Sequence, residues 1–297
     1  MASFADRLTA AISAKDSRCV VGLDPRVDQM PAFVRTGSDY AAITAFHELA
    51  IEAVADLVPA VKPQLAFFEQ YGVAGMQAFE NTILAAKQRG LLVIADAKRN
   101  DISSTAEAYA NAYLGEAGFD CDALTVTPYL GRDSLVPFVE ACQKHGKGLF
   151  VVLKTSNPGS KDFEDQTLES TGRPLYEKIA GVLNELGSGL IGVSGYSSIG
   201  AVIGATFPEE GSRLRAIMPK ALVLVPGYGA QGGSAKAAAE CFNEDGLGAV
   251  VSSSRGVTYA FGDPDISREA FIRSVRENAR RMIDEVNAAV KRAAVST

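Results

Sequence analysis

A (β/α)8 barrel is the fold class this sequence predicts, on three observations. Eight short apolar runs, several rich in β-branched residues, recur along the 297-residue chain with helix-patterned segments between them. Their apolar character is continuous rather than alternating, as in parallel strands covered on both faces, and each connection is long enough to carry a crossover helix. Charged residues collect just after the runs, on the face where barrel enzymes keep their chemistry. One domain over 1–297 is expected. A doubly wound open sheet shares the alternation but ordinarily has fewer strands.

The elements follow in order. Phe4 to Ser13 is patterned as an amphipathic helix and is expected to cover the bottom of the barrel. The first strand runs from Cys19 to Leu23. Ser38 or Asp39 can cap a helix from Tyr40 to Asp56, which leads into a second strand at Leu57 to Val61. After a third strand at Leu91 to Ala95, Ser103 or Ser104 opens a helix over Thr105 to Glu116. Ala123 to Val126 and Gly148 to Leu153 are the fourth and fifth strands, and Leu190 to Val193, Ala221 to Val225 and Gly248 to Val251 complete the set. Gly90, Gly118, Gly146, Gly187 and Gly246 stand where left-handed helix C-caps are expected, and Ile266 to Val290 is a long closing helix. The longest irregular stretch, Ser156 to Pro174, follows the fifth strand, and loops of this length usually carry function.

Composition narrows the function. Hydrophobic residues at 47% and charged residues at 22% are ordinary globular values. With 29 Lys and Arg against 35 Asp and Glu, the net charge of −6 lacks the basic excess of a nucleic-acid binder, so an anionic ligand must be held by a few local cations. The chain has no long apolar run and no basic N-terminal segment leading into one, so no membrane partner and a cytoplasmic location are expected. Cys19, Cys121, Cys142 and Cys241 form no CxxC pair and read as reduced thiols. The two histidines, His47 in a helical stretch and His145 beside Gly146, are too few for a His-metal cluster, and His145 suits a helix C-terminus better than catalysis. No metal is expected.

The strand ends carry the chemistry: Asp24-Pro25-Arg26, Lys62-Pro63-Gln64, Asp96-Ala97-Lys98-Arg99-Asn100-Asp101, the glycine-rich Pro226 to Gly233, and Ser252 to Gly256 with Arg255. Asp96 and Lys98 are two apart on an extended segment, so both side chains leave one face. With Lys62 and Asp101 they would make a preorganised charge array, beyond what a structural ion pair at a strand end requires. The glycine-rich run offers backbone N–H groups to an anion, and Arg255 adds a cation. A Schiff-base lysine would need a partly neutral amine, whereas neighbouring carboxylates keep Lys62 and Lys98 charged and suited to proton donation. Phe67, Phe68 and Tyr71 read as core or lid packing.

The segment Asp96-Ala97-Lys98-Arg99-Asn100-Asp101 resembles the DxKxxD motif of the orotidine 5′-phosphate decarboxylases, and Asp24, Lys62, Gln231 and Arg255 fall where that family keeps substrate-contacting residues. Lys154-Thr155-Ser156-Asn157-Pro158-Gly159 is similar to its longer bacterial branch. The resemblance implies decarboxylation of orotidine 5′-phosphate to UMP and CO2 in pyrimidine biosynthesis, without metal or organic cofactor. It implies Lys98 as proton donor, with Lys62, Asp96 and Asp101 completing a charged tetrad. Asp24 and Lys62 would bind one ribose hydroxyl, Thr105 the other, and Ser156, or Thr155 beside it, the pyrimidine edge. Gln231 and Arg255 would take the 5′-phosphate, with the chain around Pro226 closing over it. A homodimer is implied, in which Asp101 and Thr105 reach the neighbouring site. Relatives acting on sugar phosphates through a Mg2+-stabilised enediolate share the motif and remain an alternative.

Overall fold

The computed structural model describes residues 2–229 and 232–296. In chain order these hold α1 (Phe4–Lys15), β1 (Cys19–Leu23), α2 (Asp39–Val54), β2 (Ala60–Pro63), α3 (Leu65–Glu69), α4 (Gly72–Gln88), β3 (Leu92–Arg99), α5 (Ser103–Leu114), β4 (Ala123–Val126), α6 (Arg132–His145) and β5 (Gly148–Lys154). Next come a small antiparallel pair, β6 (Thr167–Leu168) and β7 (Arg173–Pro174), then α7 (Leu175–Gly187), β8 (Ser197–Ile203), α8 (Pro208–Ile217) and β9 (Ala221–Val225). The chain ends with α9 (Ala235–Ala239), β10 (Ala249–Ser253), α10 (Arg255–Thr258) and α11 (Arg268–Ser296).

Eight strands close a barrel in the order β1-β10-β9-β8-β5-β4-β3-β2, every pair parallel. The expected fold class holds, and the reason is visible in burial: β1, β2, β4, β8, β9 and β10 are buried at every position, as strands sandwiched between a barrel interior and a helical ring must be. Two apolar layers result. One lies between strands and helices; the other fills the barrel, where Phe4, Leu8 and Ile12 of α1 meet Val20, Ile94, Phe150 and Leu224. Helix α1 therefore plugs the bottom as expected, capped by Ser3, whose side chain accepts from the Asp6 N–H. Phe4 sits edge-on to Phe150 and presses on Gly148, where a Cβ would lie 2.1 Å from its ring.

Four expectations are corrected. The sixth strand is Ser197–Ile203, not Leu190 to Val193: Ile191 and Val193 are exposed, and the chain turns at Gly192 to Gly195 before entering the barrel. The second strand starts later, so Lys62 lies inside β2, and β3 runs on through Asp96 and Lys98. Helix α5 begins at Ser103 with Ile102 before it and no side-chain cap, whereas Ser38 does cap α2. Gly90, Gly146 and Gly246 are left-handed, but Gly118 and Gly187 are not; Gly187 is the last residue of α7, and a Cβ there would meet Ser197 Oγ at 2.7 Å. No helix among the described residues is long and apolar enough to cross a membrane. All four cysteines are buried free thiols.

Candidate active site

At the C-terminal ends of the strands a cavity of about 390 Å3 opens over an apolar floor of Val152, Val202 and Leu224. A larger recess of about 730 Å3 lies against α8, α9 and α11, but its buried Arg215 is committed to the backbone carbonyls of Met218, Ala221, Cys241 and Gly248. The smaller cavity holds the charges: Asp24, Arg26, Lys62, Asp96, Lys98 and Arg255 all line it. Four cations thus face two carboxylates, and in a chain of net −6 this local excess marks a place for an anion.

Asp96 organises the centre. Only 7% exposed, its carboxylate accepts from Lys62 Nζ at 2.8 Å and Gln64 Nε2 at 3.0 Å on one oxygen, and from Lys98 Nζ at 2.6 Å and Thr125 Oγ1 at 3.0 Å on the other. Burial pushes the Asp96 carboxyl up, but the two ammonium groups outweigh it and hold the group well below the usual carboxylate range. Burial likewise pushes Lys62 down, and the carboxylates of Asp96 and Asp24 more than reverse this, so its ammonium sits above its ordinary value. That direction runs against the partly neutral amine a Schiff-base lysine needs. Lys98 differs from Lys62 in access: 45% of its side chain is exposed, and it stands at φ +49 in a bulge of β3.

The neighbouring loops are fixed by neutral contacts. Tyr259 Oη donates to the Asp24 carbonyl and accepts from the Arg26 N–H, both at 2.9 Å, and the Tyr71 hydroxyl accepts from the Val27 N–H. The Arg26 guanidinium lies 4.6 Å over Phe67, so Phe67 supports a cavity cation, while Phe68 is core. Among the described residues, one Asp24 carboxylate oxygen and the Ser254 hydroxyl are buried on this rim with no protein hydrogen-bond partner. Across the cavity, Lys154 is 0% exposed beneath the loop after β5. Its ammonium meets Asp165 at 2.6 Å and Glu164 at 3.3 Å and lies 4.6 Å over the Phe207 ring. Glu164 in turn accepts from the Thr155 N–H and hydroxyl, and this chain of contacts sets Thr155, Ser156 and Asn157 as a wall of the cavity.

Of the residues expected at the site, Asp24, Lys62, Asp96, Lys98, Ser156, Pro226 and Arg255 are brought together. Arg255 is exposed at the rim and makes no ion pair among the described residues. Asp101 and Thr105 do not line the cavity of this chain: Asp101 accepts from the Ile102 N–H at 2.8 Å, and Thr105 lies exposed on α5. Gln231 lies outside the described residues. Arg26, Gln64 and Thr125 were not assigned from sequence. The signal for two of them was present, since Asp24 and Arg26, Lys62 and Gln64, and Asp96 and Lys98 share one two-residue spacing at three strand ends. Neither histidine takes part. His47 is enclosed by α2 and α4 with Nδ1 3.1 Å from Thr82 Oγ1, and burial pushes its pKa down to about 3; His145 ends α6 at left-handed Gly146. Among the described residues no group of three or more His, Cys, Asp or Glu side chains could hold a metal ion.

The profile of the orotidine 5′-phosphate decarboxylase / HUMPS family matches residues 18–269. An orotidine 5′-phosphate decarboxylase of Rhodopirellula baltica is 48% identical over 97% of this chain and 97% of its own, and that of Deinococcus radiodurans is 41% identical over 97% and 98%. A solved chain from Streptomyces avermitilis superposes with a TM-score of 0.84 at 34% identity, covering 98% of this chain and 97% of that one. The OMP decarboxylase of Leishmania donovani superposes at 0.76 with 32% identity, over 97% and 99%. From barrel to charge array to profile, the chain belongs to the orotidine 5′-phosphate decarboxylase / HUMPS family.

Proposed function

We propose that this protein decarboxylates orotidine 5′-phosphate to UMP and CO2, as a single catalytic barrel over 1–297 that works without metal or organic cofactor. The observation that carries the reading is Lys98, an ammonium anchored on a buried carboxylate yet open to a cavity with excess positive charge. The C6–carboxylate bond breaks, CO2 departs, and the electron pair stays on C6 in the ring plane, where the π system cannot delocalise it. Lys98 stabilises that charge and then transfers a proton from Nζ to C6, giving UMP; solvent restores the lysine. A unit charge pair about 4 Å apart at an effective dielectric near 20 is worth roughly 4 kcal/mol, so positioning must supply much of the remainder. Asp96 and Lys62 hold the array, Asp24 with Lys62 binds a ribose hydroxyl, and Ser156 reads the pyrimidine edge. Arg255 and Gln231 take the phosphate, with the chain around Pro226 closing over it.

Asp101 and Thr105 serve the neighbouring site of a homodimer. The exposure of Thr105 supports this, as do exposed Ile102, Tyr129 and Leu130 at the ends of the adjoining strands. The reaction belongs to pyrimidine biosynthesis, and a cytoplasmic location is part of this proposal. The full-length relatives favour this chemistry over a Mg2+-dependent sugar-phosphate reaction. The test is the loss of orotidine 5′-phosphate ultraviolet absorbance on adding purified protein in EDTA. Turnover is expected; none, at any protein concentration, would overturn the reading.

A further inference from the structure

Thr125 is the one polar residue of β4, is 1% exposed and does not line the cavity, yet its hydroxyl touches both functional residues of β3. It donates to Asp96 Oδ1 and accepts the N–H groups of Ala97 and Lys98, each at 3.0 Å. These contacts coincide with a break in register. Ala95 pairs with Leu124 and Arg99 with Val126, so Asp96, Ala97 and Lys98 together oppose Thr125 alone. A bulge of this kind leaves N–H groups without ladder carbonyls, and here one hydroxyl takes two of them. At its end Lys98 adopts φ +49, a conformation that a lysine keeps only where its surroundings impose it. Valine would fill the same volume in an apolar strand, so packing does not call for threonine.

We infer that Thr125 is a positioning residue: its hydroxyl fixes the bulge that aims Lys98 into the cavity and orients the Asp96 carboxylate on which Lys98 rests. The inference rests on Lys98 being the proton donor. Without the hydroxyl, two backbone N–H groups and one Asp96 lone pair lose their partner, and the ammonium moves off the line to the reacting carbon. The groups proposed for ribose and phosphate are untouched, so kcat suffers and KM does not.

The experiment measures kcat and KM for orotidine 5′-phosphate in wild type, T125V, T125S, T125C and K98A, with UMP titration counting intact sites. T125V is expected to lower kcat per UMP-binding site by about 100-fold with KM within about threefold, and T125S to restore both. Equal kcat in T125V and wild type, or an equal loss in T125S and T125V, overturns the inference. If T125V does not fold, Ser and Cys decide, because they match in shape while the thiol is a poor donor and acceptor. Serine is expected to exceed cysteine at least about tenfold, and equal values overturn it. Full activity in K98A would instead remove the reading of Lys98 on which the inference stands, whatever Thr125 does.

Discussion

Each end of the barrel carries an aspartate between two lysines. At the top, Asp96 bridges Lys62 and Lys98; at the bottom, ahead of β4 and β5, Asp120 bridges Lys87 and Lys147. The two triads share even a left-handed residue, Lys98 in one and Asp120 in the other. They differ in which member meets solvent. At the top the carboxylate is buried and one ammonium is left open, whereas at the bottom Asp120 is the most exposed member and both ammoniums also donate to its backbone carbonyl. The bottom triad has used its donors on the fold. The top one keeps an ammonium available to a ligand in a cavity, so accessibility, rather than the presence of an ion pair, separates chemistry from structure.

This contrast is open to attack, largest effect first. Lys98→Ala should lower kcat at least about 1,000-fold while Tm stays within about 3 °C, since the lysine is half exposed and Asp96 keeps Lys62, Gln64 and Thr125. Steady-state kinetics beside a thermal melt reads both. Arg255→Ala should raise KM for orotidine 5′-phosphate about 100-fold, as removal of a cation from a phosphate does, and addition of guanidinium should recover part of it. Lys147→Met should do the reverse of Lys98→Ala, leaving kcat within about twofold and costing about 1–2 kcal/mol, discounted for the exposure of Asp120, or a Tm lower by about 3–5 °C.

The smallest effect is in acid. Burial pushes the Asp120 carboxyl up, but hydrogen bonds from Lys147 and Lys87 outweigh it and hold the group below its ordinary value. The folded state therefore binds its proton less readily than the unfolded chain. The stabilisation is complete above the unfolded value near pH 4 and is lost as the pH falls below it. Melts of wild type and Lys147→Met should accordingly converge between about pH 5 and 3. A constant gap would mean that the pair contributes no charge-dependent stability.

How much of this was legible in the sequence follows from distance along the chain. Asp96 and Lys98 are near neighbours, so the strand period alone put them together, and seven of the eight strands were recognisable from apolar runs. The sixth strand was not, because Ser197, Ser198 and Gly200 dilute it while Leu190 and Ile191 nearby read as more apolar. Gly200 is needed where a Cβ would lie 2.1 Å from the Leu222 carbonyl oxygen. Thr125 was invisible for another reason: a hydroxyl in a buried strand satisfies either fold or site, and only the bulge opposite gives it a role. The bottom triad, drawn from Lys87, Asp120 and Lys147, has no local spacing at all. Asp101 and Thr105 belong to the resemblance, and a single chain leaves them outside its own cavity.

The most direct measurement is single-turnover release of CO2 from orotidine 5′-phosphate with enzyme in excess, comparing Lys98→Ala and Lys147→Met with wild type. Excess enzyme removes differences in binding and isolates the chemical step. The account predicts one equivalent of CO2 from Lys147→Met at the wild-type rate and essentially none from Lys98→Ala over the same interval. Release by Lys98→Ala within tenfold of wild type would contradict it, because the open ammonium would then not be the group that carries the reaction.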